Sequence, residues 1–276
     1  MRKVTTVFVL FCLVFTGCLL RSKPSLGLGI LVADFGDPSV WTEGTDNTPA
    51  VPTKSQDTGF FAEKGLKLSY HLPVKPDPGV HPRVFVRTRF TSGRDWTSAD
   101  YLTFWAKLKP GSVGDSLSAT IFDSTKNQTV RTKFNEIFKD GEPPSPDGWY
   151  KVVVPLEKYT NLNLADVREV RIYIEGIYTE GGTGEVILDA LYLEKADSVL
   201  EVTTSVANEQ LIVDINSPHT FWSLPKVRIK DGSYLEVSEL QSNRCRATYS
   251  LQGEDALTLE ILVPGNPIHV VEWFRN

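Results

Sequence analysis

The feature that most constrains the fold is the alternation of side chains along residues 101–108. Every even position is apolar, whereas the odd positions carry polar groups or large aromatic rings. The even set is Leu102, Phe104, Ala106 and Leu108, and the odd set is Tyr101, Thr103, Trp105 and Lys107. Successive side chains of a strand point to opposite faces, so this pattern predicts a strand with one face in a core.

Similar alternating runs recur along much of the chain, separated by clusters of Gly, Pro, Asn and Asp. They lie at 30–35, 65–72, 83–90, 117–124, 129–135, 150–156, 167–175 and 185–193. Short strands at this spacing predict an all-β sandwich or jelly roll. The segment 41–57 has no such period, so we predict an unstructured loop there.

A second, smaller unit follows a short polar linker. Residues 195–198 have little apolar content, and residues 199–276 contain six or seven brief alternating runs. About eighty residues suffice for a small immunoglobulin-like β-sandwich, a label that is architectural only because the Cys…Trp…Cys signature is missing. We therefore predict two domains, 30–195 and 196–276.

The sequence offers little sign of catalysis. The four histidines are scattered without metal-ligand spacing, and no Gly-x-Ser-x-Gly or His-Glu-x-x-His motif occurs. A glycan-cleaving enzyme would need two carboxylates in one cleft, and the cluster of Glu136, Asp140 and Glu142 is better interpreted as solvated. Cys245 has no neighbouring histidine and is expected to be a small buried residue.

The N-terminus has the features of an export signal. Met1 to Lys3 is basic, and Val4 to Thr16 is apolar but short for a bilayer span. Residues 15–18, Phe-Thr-Gly-Cys, resemble the bacterial lipobox, which usually has Leu where Phe15 stands. The resemblance implies a signal peptide at 1–17, a lipid on Cys18, a tether through residue 29 and a place in the bacterial cell envelope. An uncleaved anchor helix or a soluble secreted product are the alternatives.

Charge narrows the set of partners. Two of the 29 basic residues would leave with the signal, so the mature chain would carry 27 basic against 34 acidic residues. An acidic chain is not suited to general binding of nucleic acid or of an anionic membrane surface. Contact with the membrane is expected through the lipid alone.

Several segments together resemble family 11 carbohydrate-binding modules and their galactose-binding-like relatives. The segments are Asp34-Phe35, 102–107, the Trp149 strand at 148–156, 170–174 and 184–191. Their order and spacing cover residues 30–195 and imply a jelly roll that binds a polysaccharide or oligosaccharide. Because a shared fold is not a shared function, this stays an expectation.

The resemblance also implies a structural calcium ion, which in these modules ties the first strand to the last. Asp34 and Asp189 hold positions that would converge there, with Asp37 nearby. The family commonly has Glu after Asp-Phe, where this chain has Gly36. The alternative is that both aspartates cap strand ends or accept backbone hydrogen bonds.

Four tryptophans bear on the ligand site. Trp105 lies opposite the core side of its strand, either as a sugar platform or, as we expect, covered by the second domain. Trp41 and Trp96 lie in polar loops, where aromatic residues often contact ligands. Trp149 is expected in core or rim packing.

Basic side chains share the outward phase of three strands. With Val84, Val86 and Thr88 inward, the opposite phase of the 83–90 strand is basic apart from one phenylalanine. The full outward set is Arg83, Phe85, Arg87, Arg89, Arg131, Lys133 and Lys151. The resemblance places the three strands in one concave sheet, which would bind an acidic glycan, with Phe85 as a stacking surface. Alternatively, these are ordinary surface charges neutralised by Asp123, Glu136 or Glu157.

These observations favour a non-catalytic, glycan-binding surface lipoprotein. A structural or assembly lipoprotein that binds another envelope protein is the runner-up, and it would instead show a broad apolar patch. A glycan-active enzyme comes third.

Overall fold

The computed structural model describes residues 29–48, 51–74, 79–133, 148–176, 181–196, 200–217, 221, 223–230, 232–264 and 268–275. The predicted signal peptide, Cys18 and the tether as far as residue 28 lie outside these ranges. Within them, no helix is long and apolar enough to cross a membrane.

The N-terminal part is a sandwich of two antiparallel sheets. Its strands are β1 (Ile30–Ala33), β2 (Thr42–Asp46), β3 (Thr53–Thr58), β4 (Lys64–Leu72), β5 (Arg83–Arg94), β6 (Tyr101–Leu108), β7 (Ser116–Phe122), β8 (Asn127–Lys133), β9 (Trp149–Pro155), β10 (Val167–Glu175) and β11 (Gly182–Glu194). The back sheet has the order β3-β4-β11-β6-β9, with β1 also paired to β11, and the front sheet has the order β2-β5-β10-β7-β8. Short 3₁₀ helices at Pro38–Val40, Leu156–Lys158 and Leu164–Asp166 complete this unit. The predicted all-β jelly-roll sandwich is confirmed.

The core between the sheets follows the predicted alternation. Leu102, Phe104 and Ala106 of β6 are buried there, and so are Val84 and Val86 of β5. Each strand has an outer phase as well, and those outer residues form the two faces of the sandwich.

The segment 41–57, predicted as an unstructured loop, instead contains β2 and β3. Both are edge strands of their sheets, and neither carries a fully buried residue. An edge strand can take its hydrogen bonds from one neighbour without contributing to the core. Its sequence then lacks the apolar phase on which the prediction depended.

The C-terminal part is a smaller β-sandwich. Its strands are β12 (Glu201–Ala207), β13 (Gln210–Asn216), β14 (Lys226–Ile229), β15 (Tyr234–Leu235), β16 (Val237–Gln241), β17 (Arg244–Ser250), β18 (Ala256–Leu262) and β19 (His269–Phe274). They form two four-stranded sheets, β12-β13-β17-β16 and β15-β14-β18-β19. Each of the four sheets takes its strands from one side of Ala196. Cys245 is fully buried, and burial raises the pKa of its thiol to about 11.

The outer face of the back sheet packs against this C-terminal sandwich. Phe60, Trp105 and Trp149 form an apolar cluster that includes Leu262 of β18. The Nζ atom of Lys226 lies 4.4 Å from the centroid of the Phe60 ring. The expectation that the second unit covers Trp105 is confirmed, and Trp149 belongs to the same interface.

Candidate functional site

The outward residues of the front sheet, which we call the front face, form a regular grid. Strand register places them in rows that run across β5, β10, β7 and β8. The rows are Arg83, Glu175, Ser116 and Lys133; Phe85, Tyr173, Ser118 and Arg131; Arg87, Arg171, Thr120 and Thr129; and Arg89, Glu169, Phe122 and Asn127. The intervening positions, such as Val84, Ile172 and Ala119, are apolar and face the core, which fixes the phase of the whole face.

Two buried glutamates on β10 hold four arginines. Glu175 is fully buried; its Oε2 accepts a hydrogen bond from Arg131 Nε at 2.5 Å, and its Oε1 lies 3.0 Å from Arg83 Nε. Glu169, also buried, accepts hydrogen bonds from the Nε atoms of Arg89 and Arg171. The front face is therefore an ordered ion network rather than a set of independent surface charges.

The charge state of Glu169 follows from these contacts. Burial acts to raise the pKa of this carboxyl group, but hydrogen bonds from Arg89 and Arg171 outweigh burial and lower the pKa below its usual value. Glu169 is therefore ionised at neutral pH. It acts as a fixed anion that orients guanidinium groups.

Small residues on β7 make this network sterically feasible. Arg131 belongs to β8 and must reach across β7 to Glu175 on β10. The residues beneath it are Ser116 and Ser118, both fully buried, and Ser116 Oγ donates to Glu175 Oε2 at 3.3 Å. The buried Ser118 Oγ has no hydrogen-bond partner within the described ranges.

Phe85 does not provide an exposed stacking surface, which corrects that part of the sequence prediction. Its side chain is only 6% exposed. The ring extends over Gly44 of β2, where an added Cβ atom would lie 2.4 Å from Phe85 Cζ. The ring also lies 4.9 Å from that of Tyr173 and 5.0 Å from the guanidinium carbon of Arg171. These neighbours leave no open ring face of the size that a sugar needs.

Lys151 does not lie on the front face, so the prediction that all three strands share one sheet is wrong. Strand β9 pairs with β6 at the edge of the back sheet. The Lys151 side chain is 10% exposed, and its Nζ lies 2.7 Å from Glu194 Oε2. Burial lowers its pKa despite that partner. The outward phase was correctly predicted, but on this sheet outward means towards the C-terminal sandwich.

The other predicted basic residues do share one face. Arg83, Arg87 and Arg89 project from β5, and Arg131 and Lys133 from β8. The neutralising residues differ from those expected, because Asp123 instead accepts backbone N–H groups of Asn163, Thr125 and Lys126. Glu136 lies outside the described residues.

Sequence reasoning missed Arg171, Glu169 and Glu175, although a signal for them was present. With Val170, Ile172 and Ile174 in the core, the opposite phase of β10 is Glu169, Arg171, Tyr173 and Glu175. The period of two therefore assigned these residues to an outer face. It did not show that β10 lies between β5 and β7.

The predicted calcium ligands make the contacts of the alternative interpretation. Asp189 Oδ2 accepts the backbone N–H groups of Phe60, Phe61 and Ala62, and Oδ1 accepts that of Ala190. Asp34 Oδ1 accepts the N–H of Gly36 at 2.7 Å. No group of three or more His, Cys, Asp or Glu side chains suited to a metal ion occurs in the described part of the chain. A carboxylate surrounded by N–H donors does not fit a divalent cation, so the geometry lends the calcium prediction no support.

Trp41 and Trp96 belong to the core rather than to a ligand site. Each is 1% exposed. Trp41 stacks on Phe35 with ring centroids 4.4 Å apart, and its Nε1 donates to the carbonyl oxygen of Asp34 at 2.9 Å. Loops at the ends of a sandwich can insert large rings between the sheets, which explains why polar sequence neighbours were a poor guide.

Comparison with known proteins gives structural likeness only. No protein-family model matches the chain, and no curated protein matches it. Among solved structures, a β-1,2-glucanase from Parabacteroides distasonis is similar at 14% identity and TM-score 0.46, over 87% of this chain and 37% of the glucanase. A structure of carbohydrate-binding modules of the β-sandwich superfamily has 14% identity and TM-score 0.43, over 59% of this chain and 62% of that chain. A module specific for non-crystalline cellulose, CBM28, has 17% identity and TM-score 0.35, over 58% of this chain and 89% of the module.

Proposed function

We propose that the protein binds an acidic polysaccharide, uronate-containing or sulfated, on the front face. The observation that carries the proposal is the surplus of ordered cations on that face. Its described positions hold six basic side chains and three carboxylates: Arg83, Arg87, Arg89, Arg131, Lys133 and Arg171 against Asp46, Glu169 and Glu175. In a chain with a formal charge of −5, this concentration favours an anionic ligand.

The arginines are held in a form suited to oxyanions. Arg89 and Arg131 use Nε to bind their glutamates, and their terminal nitrogens make no hydrogen bond to any residue in the described ranges. Their side chains are 65% and 43% exposed. An anchored guanidinium has already lost side-chain freedom, so binding a carboxylate or sulfate costs less entropy. Its planar fork can bind such a group in a bidentate way.

Arg87 adds a cation with no internal partner. Arg87 lies half-buried between the Glu169 and Glu175 clusters. Its side chain makes no ion pair or hydrogen bond within the described ranges. A partly desolvated guanidinium gains most from an anion supplied from outside. Arg87 is therefore expected to contact the ligand directly.

The spacing of the carboxylates supports binding rather than glycan cleavage. Glu169 and Glu175 are six residues apart on β10, which at the rise of a strand is roughly 20 Å. Paired catalytic carboxylates in glycosidases lie about 5 to 9.5 Å apart. Arginines also hold Glu169 ionised, whereas a general acid must carry a proton. Glu136, Asp140 and Glu142 lie outside the described residues.

The proposed location is the bacterial envelope, with the mature chain held by a lipid on Cys18. The Gly17-Cys18 pair that closes the apolar run supports this. Cys18→Ser should leave the precursor unprocessed or release the protein from membranes. Normal cleavage together with unchanged membrane association would contradict the proposal.

The test of glycan binding compares charged and neutral polymers. The mature chain should bind polygalacturonate or alginate, fail to bind a neutral glucan, and lose affinity as salt rises. Arg131→Ala should weaken binding to the acidic polymer about tenfold, and Arg131→Lys should recover only part, because lysine lacks the fork.

The matched control is Arg246→Ala. Arg246 is similarly exposed, at 39%, and its Nε binds Asp214 in the C-terminal sandwich at 2.8 Å. It should bind the polymer as the wild type does. Equal affinity for neutral and acidic polymers, or wild-type binding by Arg131→Ala, would overturn the proposal.

A further inference from the structure

A groove at the side of the jelly roll adjoins the front face and shares Arg87 and Arg89 with it. Strand β2 pairs with β5 only from Arg83 to Arg87 and ends there at Thr42, while β5 continues to Arg94. Past Thr42, the described residues supply no strand on that edge of β5. The groove lies between this free half of β5 and the segment Val32–Asp34, with the 3₁₀ helix Pro38–Val40 at one end.

A bulge in β5 directs Arg94 into this groove. Arg89 pairs with Glu169 and Arg94 with Val167, so five steps along β5 correspond to two along β10. A bulge of this kind bends a strand and redirects its side chains. The Arg94 guanidinium carbon lies 4.2 Å from the centroid of the Phe90 ring, and its Nη1 donates to the carbonyl oxygen of Val32 at 3.0 Å. Arg94 is thereby fixed at the groove wall.

The groove carries an excess of positive charge. Arg87, Arg89 and Arg94 line it, with Asp34 as the carboxylate among its lining residues. Asp34 already accepts the N–H of Gly36, and Arg89 binds Glu169 on the front face. Arg87 has no partner within the described ranges. Each end of the groove therefore offers a guanidinium group that no described carboxylate neutralises, Arg87 at one end and Arg94 at the other, and each could bind a separate oxyanion.

We infer that the side groove binds a carboxylate or sulfate group of the same acidic saccharide, so that an extended ligand runs from the front face round the free edge of β5. This inference rests on the proposed function. Arg87 pairs with Arg171 and Arg94 with Val167, so the two arginines lie four steps of β10 apart, roughly 13 Å along the strand direction. A ligand therefore uses the groove only if it is long enough to reach from the front face to Arg94.

The experiment measures affinity as a function of ligand length. Oligogalacturonates from dimer to long oligomer are titrated calorimetrically into the mature chain and its variants. Arg94→Gln should reduce affinity about tenfold for long oligomers and leave the shortest ligands unaffected, since one charge-assisted contact is lost. Arg131→Ala, on the front face, should weaken binding at every length.

The control is Arg168→Gln, because Arg168 is 44% exposed and pairs with Asp166 close to the same bulge without lining the groove. It should bind all lengths as the wild type does. If the wild type binds no acidic saccharide of any length, the proposed function fails. If it binds and Arg94→Gln matches it at every length, only the side-groove inference is overturned.

A folding defect in Arg94→Gln would not end the test. Arg87→Gln removes no described hydrogen bond or ion pair, so its melting temperature should equal that of the wild type. It should show a larger loss for long oligomers than for short ones. A uniform loss at all lengths would place Arg87 on the front face alone and contradict its role in the groove.

Discussion

The two outer faces of the jelly roll have the same architecture and opposite chemistry. The back face presents Phe60, Trp105 and Trp149, and the C-terminal sandwich covers them. The front face presents arginines held by Glu169 and Glu175, of which Arg89 and Arg131 are exposed to solvent. Inward residues are alike in both sheets, so the outer phase of each strand determines whether its face joins a neighbouring domain or carries an ordered network of charges.

The two faces also contribute differently to stability. Burying apolar area on the back face contributes about 25 cal/mol per Å². Ion pairs on the front face gain little, because desolvation offsets much of their Coulomb attraction. We therefore expect substitutions on the back face to change folding most, and substitutions on the front face to change binding most.

The largest expected effect is on the back-sheet side, at Asp189. Asp189→Ala would leave four backbone N–H groups without their acceptor, three of them in the loop 60–62. Because unsatisfied buried donors are costly, the free energy of unfolding should fall by about 4 kcal/mol in urea denaturation. Asp34→Ala, which removes one such bond, should cost about 1 kcal/mol.

A loss below about 1 kcal/mol in Asp189→Ala would mean that the loop does not depend on this carboxylate. The same protein tests the calcium prediction. A melting temperature that rises with Ca²⁺ in the wild type and not in Asp189→Ala would revive that site. An unchanged melting temperature with chelator would end it.

The next largest loss of stability is expected at the interface between the back sheet and the C-terminal sandwich. Trp105→Ala removes a buried ring whose centroid lies 4.3 Å from that of the Phe60 ring. The free energy of unfolding should fall by about 3 to 4 kcal/mol. Val153→Ala is the matched control, because Val153 is on the outer phase of the neighbouring strand but is 40% exposed. It should change stability by less than about 0.5 kcal/mol. Equal effects at the two positions would show that burying Trp105 in the interface adds nothing to stability.

Removing the C-terminal sandwich tests the same comparison. Residues 30–195 are expected to fold alone, because their strands form both sheets of the jelly roll. The fragment should keep its β-sheet circular dichroism, but it should bind a hydrophobic dye through the uncovered Phe60, Trp105 and Trp149. An unfolded fragment beside a folded mature chain would place the domain boundary elsewhere.

The period of two predicted which residues share a face, and this is why most strands and the outward arginines could be found. It holds within a strand and says nothing about the strand's neighbours. Lys151 had the correct phase and the wrong sheet for that reason. Glu175 and Arg131 meet across β7 although 44 residues separate them in sequence.

Other failures have a different physical cause. Edge strands β2 and β3 need no apolar phase, and Trp41 fills the core from a loop whose sequence neighbours are polar. Burial of Phe85 depends on the missing side chain of Gly44 in another strand. None of these is a local property of the sequence, so no window of residues contains the signal.

On the front face, the stability effect should be smaller and the binding effect larger. Glu175→Gln leaves Arg83 and Arg131 without their anion but keeps a polar group in the buried position. Both arginines reach solvent, so the cost should be about 2 kcal/mol rather than that of a fully buried broken pair. Binding of acidic polymer should weaken, because Arg131 loses its fixed position. Unchanged binding would show that the network does not preorganise the arginines.

The smallest expected effect is the pH dependence of the stability that Glu169 contributes. Its pKa in the folded protein is lowered below the unfolded value near 4.3. A lowered carboxyl pKa contributes stability that is fully present above that unfolded value and is lost as pH falls through the folded one. The wild type should therefore exceed Glu169→Gln in unfolding free energy at pH 7 by about 1 kcal/mol, since Arg89 is well exposed and the pair is screened. This margin should be smaller at pH 3 than at pH 7, because pH 3 lies below the unfolded value, and it should decrease with added salt at pH 7. A margin that is the same at both pH values would show that Glu169 stabilises the front face as a polar group and not as an anion.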